Sequence, residues 1–304
     1  MYIIKHKAIF FTISALLVVG SILLIAVYGL NLGSDFKGGT VLEVAYAKNR
    51  PDPNLLRSML APLNLGNYSL QSTDNASYVI KLKPITEDER VAIVNTLSAG
   101  GANQDFQVKS YSSVGPSVGQ ELATKGVIAV ILVVLLIVIF IAFAFRKVSR
   151  PVASWKYGLM AIIALIHDIT IPTGVVAYLG RFRGVEIDAL FITALLTILG
   201  LSVSDTIVVF DRIRENLRNR LGKTFEETVG MSLDETITRS LITSLTVIFV
   251  LLVLLFFGGE STRNFALVLT LGMFFGTYSS IFIASPLLVV AYNWQERKKL
   301  KIRN

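Results

Sequence analysis

The chain has 304 residues, 53% of them hydrophobic and 16% charged, with a formal net charge of +8. That balance is too apolar for a water-soluble globular protein. Cysteine is absent, which excludes disulfides, thiolate chemistry and cysteine-ligated metals; with His6 and His167 as the two histidines and no ligand cluster around them, no metal site is expected.

Six uncharged stretches are long enough to cross a bilayer once one polar intruder in each is allowed: 8–30, 126–145, 157–179, 188–210, 237–257 and 265–292. The first has charged flanks like a signal peptide. It is longer than such a peptide's apolar region, however, and "VYGLNL" offers no small-x-small cleavage site, so a retained anchor (1–30) is expected.

The segment 31–125 is hydrophilic and patterned. "TVLEVAYA" alternates as a strand with Leu42, Val44 and Tyr46 on one face. Asp52 is placed as the N-cap of a helix with Pro53 at its first position and an apolar stripe of Leu56, Met59, Leu60 and Leu63. "NYSLQS" and "SYVIKLK" read as two strands around the turn "TDNA". Thr86 and Glu89 have capping-box spacing at the start of a second helix, whose apolar face continues through Ile93 and Leu97. "DFQVKSY" is a last strand. The order β-α-β-β-α-β is that of a ferredoxin-like α+β domain. The fold class expected is therefore a polytopic α-helical membrane protein: six transmembrane helices, with this small domain between the first and second.

The third span contains His167 and Asp168, a polar break near mid-membrane. A proton relay and a helix–helix hydrogen bond are both open to such a pair. The fourth span holds Asp205, the one ionisable residue between Ala189 and Phe210. An acid in hydrocarbon costs on the order of 3 kcal/mol by insertion scales and marks function by default. Thr193, Thr197, Gly200 and Ser204 form a polar stripe beside it, and Thr206 follows it. The segment 211–236 is charged and helix-permissive, and its plain reading is an amphipathic connector at the membrane surface.

Arg239 lies in the first turn of the expected fifth span, at a depth matching Asp205. Thr243 and Thr246 continue its stripe, with Ser240 and Ser244 on the adjoining edge. An acid and an arginine at matched depth lower each other's burial cost, and a switchable contact between them could load and unload a proton. In the last span "GMFFG" has the G-x-x-x-G spacing of close helix packing. The 126–292 region is thus expected as a five-helix bundle, and 293–304 as a basic tail against anionic headgroups.

Charge placement sets orientation. If the N-terminus is cytoplasmic, the inside segments hold sixteen Lys and Arg and the two short outside loops hold three. The positive-inside rule then puts both termini and 211–236 in the cytoplasm and 31–125 outside. The basic excess reports topology, so no nucleic-acid partner is expected. No G-x-x-x-x-G-K-[ST], G-x-S-x-G or H-E-x-x-H motif is present, which leaves an ion gradient rather than a bound cofactor or enzymatic chemistry as the energy source.

Several longer motifs resemble one family. "GSDFKGGT" just after the first span, "LIHDI" in the third, "GLSVSDTIVVFDRIREN" in the fourth, "TITRSLITSLT" in the fifth and "GTYSSIFIASPLL" in the sixth are similar, in order, to motifs of the SecF branch of the SecD/SecF protein-export family. The resemblance implies a six-span half of the resistance-nodulation-division type in the bacterial inner membrane. It implies pairing with SecD, association with the SecYEG channel, and use of the proton-motive force to draw unfolded polypeptides outward. It also carries the family's proton-moving acid and arginine onto Asp205 and Arg239, with Ser204 standing where the family usually has Asn. Two other classes fit the membrane half alone: a small-molecule or lipid exporter of the same superfamily, and a passive assembly factor.

Overall fold

A computed structural model describes residues 2–46, 51–73, 77–100, 106–145 and 152–303. The chain divides into two units, Leu32–Val127 and Met1–Asn31 with Ile128–Asn304. In chain order the elements are α1 (Lys7–Tyr28), β1 (Gly39–Tyr46), α2 (Pro53–Leu60), β2 (Ser69–Thr73), β3 (Ser77–Leu82), α3 (Glu87–Gly100), β4 (Phe106–Val114), α4 (Pro116–Ala144), α5 (Ser154–Arg183), α6 (Ala189–Arg218), α7 (Phe225–Phe257), α8 (Glu260–Ser279), a π turn (Ser280–Ala284) and α9 (Ser285–Arg303).

The smaller unit is the β-α-β-β-α-β fold. Its sheet has the order β2-β3-β1-β4, antiparallel throughout, with Leu42 opposite Ile80 on one side and Tyr111 on the other. Alternation along β1 buries Leu42, Val44 and Tyr46 against Leu56 and Leu60 of α2 and Ile93 and Leu97 of α3. Both helix starts are capped as their spacing predicts: the Asn54 amide donates to Asp52 Oδ1 at 2.7 Å, and Thr86 and Glu89 exchange bonds of 2.8 and 3.3 Å. The turn "TDNA" lies, but for Thr73, outside the described residues. Gly38 has φ of +79°, and a Cβ there would lie 2.8 Å from Pro116 Cα; glycine is required by both conditions.

The Tyr46 hydroxyl donates to the Leu97 carbonyl at 3.0 Å. Burial, with the neighbouring Tyr78 phenol adding to it, pushes the Tyr46 phenol up to about 12. The unfolded phenol titrates near 10. Between these values the unfolded state binds fewer protons, so this unit should lose stability as pH rises from about 10 towards 12. Tyr46→Phe should flatten that part of the pH profile while lowering stability at neutral pH, because Leu97 loses its donor. A denaturation series from pH 8 to 11.5 with unchanged slope in the variant would contradict the assignment.

Among the described residues six helical segments are long and apolar enough to span a membrane: α1, α4, α5, α6, α7, and Thr262–Lys298, which runs through the π turn. α5 and α6 are the most buried along with the last segment, whereas α1, α4 and α7 show mostly apolar surface. Phe145 stacks on Tyr157 at 5.3 Å and Phe210 meets both edge-on, closing one end of the core.

Segment 211–236 is largely helical: α6 runs on to Arg218 and α7 starts at Phe225, leaving a short turn in which Arg220 and Gly222 take positive φ. Its charges stabilise these helix extensions, through Arg212 to Glu215 and Glu235 at 2.5 Å each. Arg239 therefore lies well inside α7, not in its first turn. The basic tail is helical as far as it is described, since α9 runs through Arg303.

The π turn has a local cause. Pro286 has no N–H to offer the carbonyl four residues earlier, and the Ser285 hydroxyl donates to the Ser280 carbonyl at 3.1 Å. The wider turn brings the consecutive residues Ser279 and Ser280 both into the interior, each fully buried.

Candidate functional site

Two carboxylates meet a set of hydroxyls in the middle of the bundle. From α6 come Ser202, Asp205 and Thr206, which share a face at i, i+3 and i+4. α7 presents Ser240 and Ser244 at i, i+4; α8 and the π turn present Thr277, Ser279 and Ser280; α5 presents His167 and Asp168.

Asp205 is half-buried. Its Oδ1 accepts a hydrogen bond from the Ser240 hydroxyl at 2.5 Å, while Oδ2 is buried and has no partner among the described residues. Around it Thr206 and Ser280 hydroxyls are bonded at 2.8 Å, and Thr277 donates to Ser244 at 2.6 Å. A cavity of about 160 Å³ opens between these helices, lined by Ser202, Asp205, Arg239, Ser240, Ser244 and Thr277. That volume admits several waters, and although Leu201, Val208, Val247 and Met273 make part of the wall, the carboxylate and hydroxyls offer them partners.

Asp168 is fully buried and saturated with donors. His167 Nδ1 lies 2.9 Å from Oδ1, and the Ser202 and Ser279 hydroxyls donate to Oδ2 at 2.5 and 2.8 Å. Buried charge is tolerated only with such pairing. The His167 ring is stacked on Tyr278 with centroids 6.0 Å apart, and its Nε2 is buried without a partner.

Arg239 and Asp205 border the same cavity, but Arg239 is exposed and forms no ion pair with Asp205. The direct contact expected from matched depth is made one residue on, by Ser240. One residue is 100° of helix: the face of α7 turned inward carries Ser240 and Ser244, and the stripe Arg239, Thr243, Thr246 is turned out. On α6 likewise Ser204 is exposed and Ser202 and Thr206 are buried. Of the residues singled out in the sequence, Asp205, Thr206, His167 and Asp168 are thus part of the interior network, while Ser204, Arg239 and Thr243, each exposed, border its cavity. Ser202, Ser279 and Ser280 were missed; the pair "SS" ahead of Pro286 was the available signal.

Gly272 and Gly276 of α8 face α6. A Cβ at Gly272 would fall 2.2 Å from two Ile198 side-chain carbons, and one at Gly276 would fall 3.1 Å from Ser202 Cβ. The G-x-x-x-G spacing therefore does what its plain reading expects, seating α8 against α6 so that hydroxyls from both reach the carboxylates.

Residues 94–294 match the model of the C-terminal region of protein export membrane proteins SecD/SecF, and residues 23–49 match the SecD/SecF GG motif. The protein translocase subunit SecF of Thermobaculum terrenum is 42% identical, with 99% of this chain and 96% of that one covered. SecF of Anaerolinea thermophila is 39% identical over 95% of this chain and 93% of that one. The crystal structure of SecDF, a translocon-associated membrane protein from Thermus thermophilus, superposes with a TM-score of 0.79 at 32% identity; it covers 96% of this chain, which spans 38% of that longer one.

Proposed function

This chain belongs to the SecD/SecF family of protein-export membrane proteins, and on that premise we propose that it is a SecF-type translocase subunit whose Asp205 takes up and releases a proton to drive export. In this reading it works in the bacterial inner membrane beside a SecD-type partner and a SecYEG-type channel, and it draws an unfolded polypeptide outward with the proton gradient as energy source and no bound cofactor.

The observation that carries the reading is the state of Asp205 at the wall of the cavity: one carboxylate oxygen is held by Ser240, and the other is buried near the Ser280 hydroxyl with no hydrogen-bond partner of good geometry among the described residues. Asp168, by contrast, has a donor on each of its oxygens. An oxygen left without a donor, on a residue that borders a cavity able to hold water, is suited to receive a proton. Arg239 borders the same cavity without an ion pair to Asp205, so the carboxylate is not locked in one state. Protonation would remove a charge from between α6 and α7, and a charge in low dielectric is a large term with which to bias two conformations. The test is precursor translocation by proteoliposomes holding this chain, SecD and SecYEG. Export should rise when a proton gradient is imposed and should return to baseline when an ionophore collapses it; equal export in both conditions would refute the proposal.

The proposal requires the small unit outside and the α6–α7 turn in the cytoplasm. The natural lack of cysteine makes this simple to check. Asp88 and Lys223 are both exposed. In intact spheroplasts an impermeant maleimide should label Asp88→Cys and not Lys223→Cys. The reverse labelling would invert the topology and the direction of proton flow with it.

A further inference from the structure

We infer that Asp168 is a second proton-binding carboxylate, reached from Asp205 through the hydroxyl of Ser202 and shared with His167. The inference rests on Asp205 being a proton site. Three observations support it. Ser202 borders the cavity that Asp205 borders, and its hydroxyl is bonded to Asp168 Oδ2. Gly276 also lines the cavity, and a Cβ there would lie 3.7 Å from Asp168 Oδ2. And His167, bonded to the far oxygen of Asp168, keeps Nε2 buried and unpartnered, so the pair retains a protonatable atom that a purely structural anchor would have satisfied.

The transfer is a simple exchange. Water in the cavity takes the proton from protonated Asp205 and delivers one to Ser202 Oγ, while the proton already on Ser202 Oγ passes to Asp168 Oδ2. Asp205 ends ionised and Asp168 protonated, with Ser202 and water unchanged. The titratable and charged groups facing this exchange are His167 beside Asp168 on α5, Asp205 on α6, Arg239 on α7 and Tyr278 on α8, stacked on His167. The adjacent residues Ser279 and Ser280 tie the two ends together: Ser279 is bonded to Asp168, and Ser280 to Thr206 next to Asp205. Loading one carboxylate therefore shifts a turn of the last span that also touches the surroundings of the other.

The experiment is pH-difference infrared spectroscopy of the full chain with its SecD partner in a bilayer. Wild type should show two buried carboxyl C=O bands; Asp205→Asn should remove one, Asp168→Asn the other. Ser202→Ala, which removes one hydroxyl and should assemble normally, should shift the band that Asp205→Asn leaves in place, and it should lower gradient-driven export by about tenfold or more. A spectrum of assembled Asp168→Asn that superimposes on wild type, beside an Asp205→Asn spectrum lacking its band, would overturn the second site and leave the proposed function standing. Should Asp168→Asn fail to assemble, the absence of any band shift in Ser202→Ala overturns it instead. If Asp205→Asn removes no band, the proposed function itself fails, and this inference with it.

Discussion

Replacing Asp205 with Asn should reduce export to the level seen without a proton gradient while leaving assembly in the membrane intact. Asn occupies the same space and accepts the Ser240 hydrogen bond through its carbonyl oxygen, so the one contact that Asp205 makes with α7 is preserved. What it loses is the capacity to hold a proton. Ser240→Ala is the complementary variant. It keeps the carboxylate but leaves Oδ1 without its donor, so export should fall less than with Asp205→Asn and its pH dependence should shift. Because Arg239 is exposed and unpaired with Asp205, Arg239→Gln should leave assembly unchanged and impair export. The double variant Asp205→Asn, Arg239→Gln then separates two accounts. A static ion pair is repaired when both charges go; a proton site is not. The double variant should assemble well and fail to export, and near-normal gradient-driven export in it would return the two residues to a structural role.

The second large effect is expected at the contact between α8 and α6. Gly272→Ala places a methyl group 2.2 Å from Cγ1 and Cδ1 of Ile198 and 3.0 Å from its Cγ2, so rotation of a flexible side-chain end does not relieve the clash. Overpacking of this kind costs about 1–3 kcal/mol. It also moves apart the helices whose hydroxyls meet Asp168 and Asp205, so thermal stability and export should fall together. Ile198 is almost fully buried, and Ile198→Ala alone should destabilise by leaving a cavity, about 2–5 kcal/mol for such truncations. Combined, the two changes exchange volume across one contact. The double variant should be more stable than Ile198→Ala alone and should regain part of its export activity. Additive losses in thermal denaturation would show that Gly272 does not act through Ile198.

Most of the fold was legible in the sequence because two strong signals agreed. Apolar runs of sufficient length marked the spans, and period-2 alternation with capping residues at Asp52 and Thr86 marked the small α+β unit. The π turn was not legible, since it depends on Pro286 and the Ser285 hydroxyl acting together. In the site Asp205 stood out because it is the one ionisable residue in the 22-residue stretch 189–210, where an acid is costly. Which of the hydroxyls near it reach the carboxylates was not legible, for a physical reason. Threonine in a membrane helix satisfies its hydroxyl on its own backbone: Thr193, Thr197, Thr243 and Thr246 each donate to the carbonyl four residues earlier. Such residues tolerate an outward position and so carry little information about which face is inside. Ser202, Ser240 and Ser279 instead spend their hydroxyls on carboxylates of other helices, a choice that sequence spacing does not encode.

The most direct test of the central claim is proton entry into proteoliposomes containing this chain, SecD and SecYEG, followed with a trapped pH-sensitive dye while a precursor is held in translocation. In wild type, proton entry should rise above the precursor-free rate for as long as polypeptide occupies the channel, and in Asp205→Asn it should stay at that rate. Equal precursor-dependent proton entry in both would contradict the account.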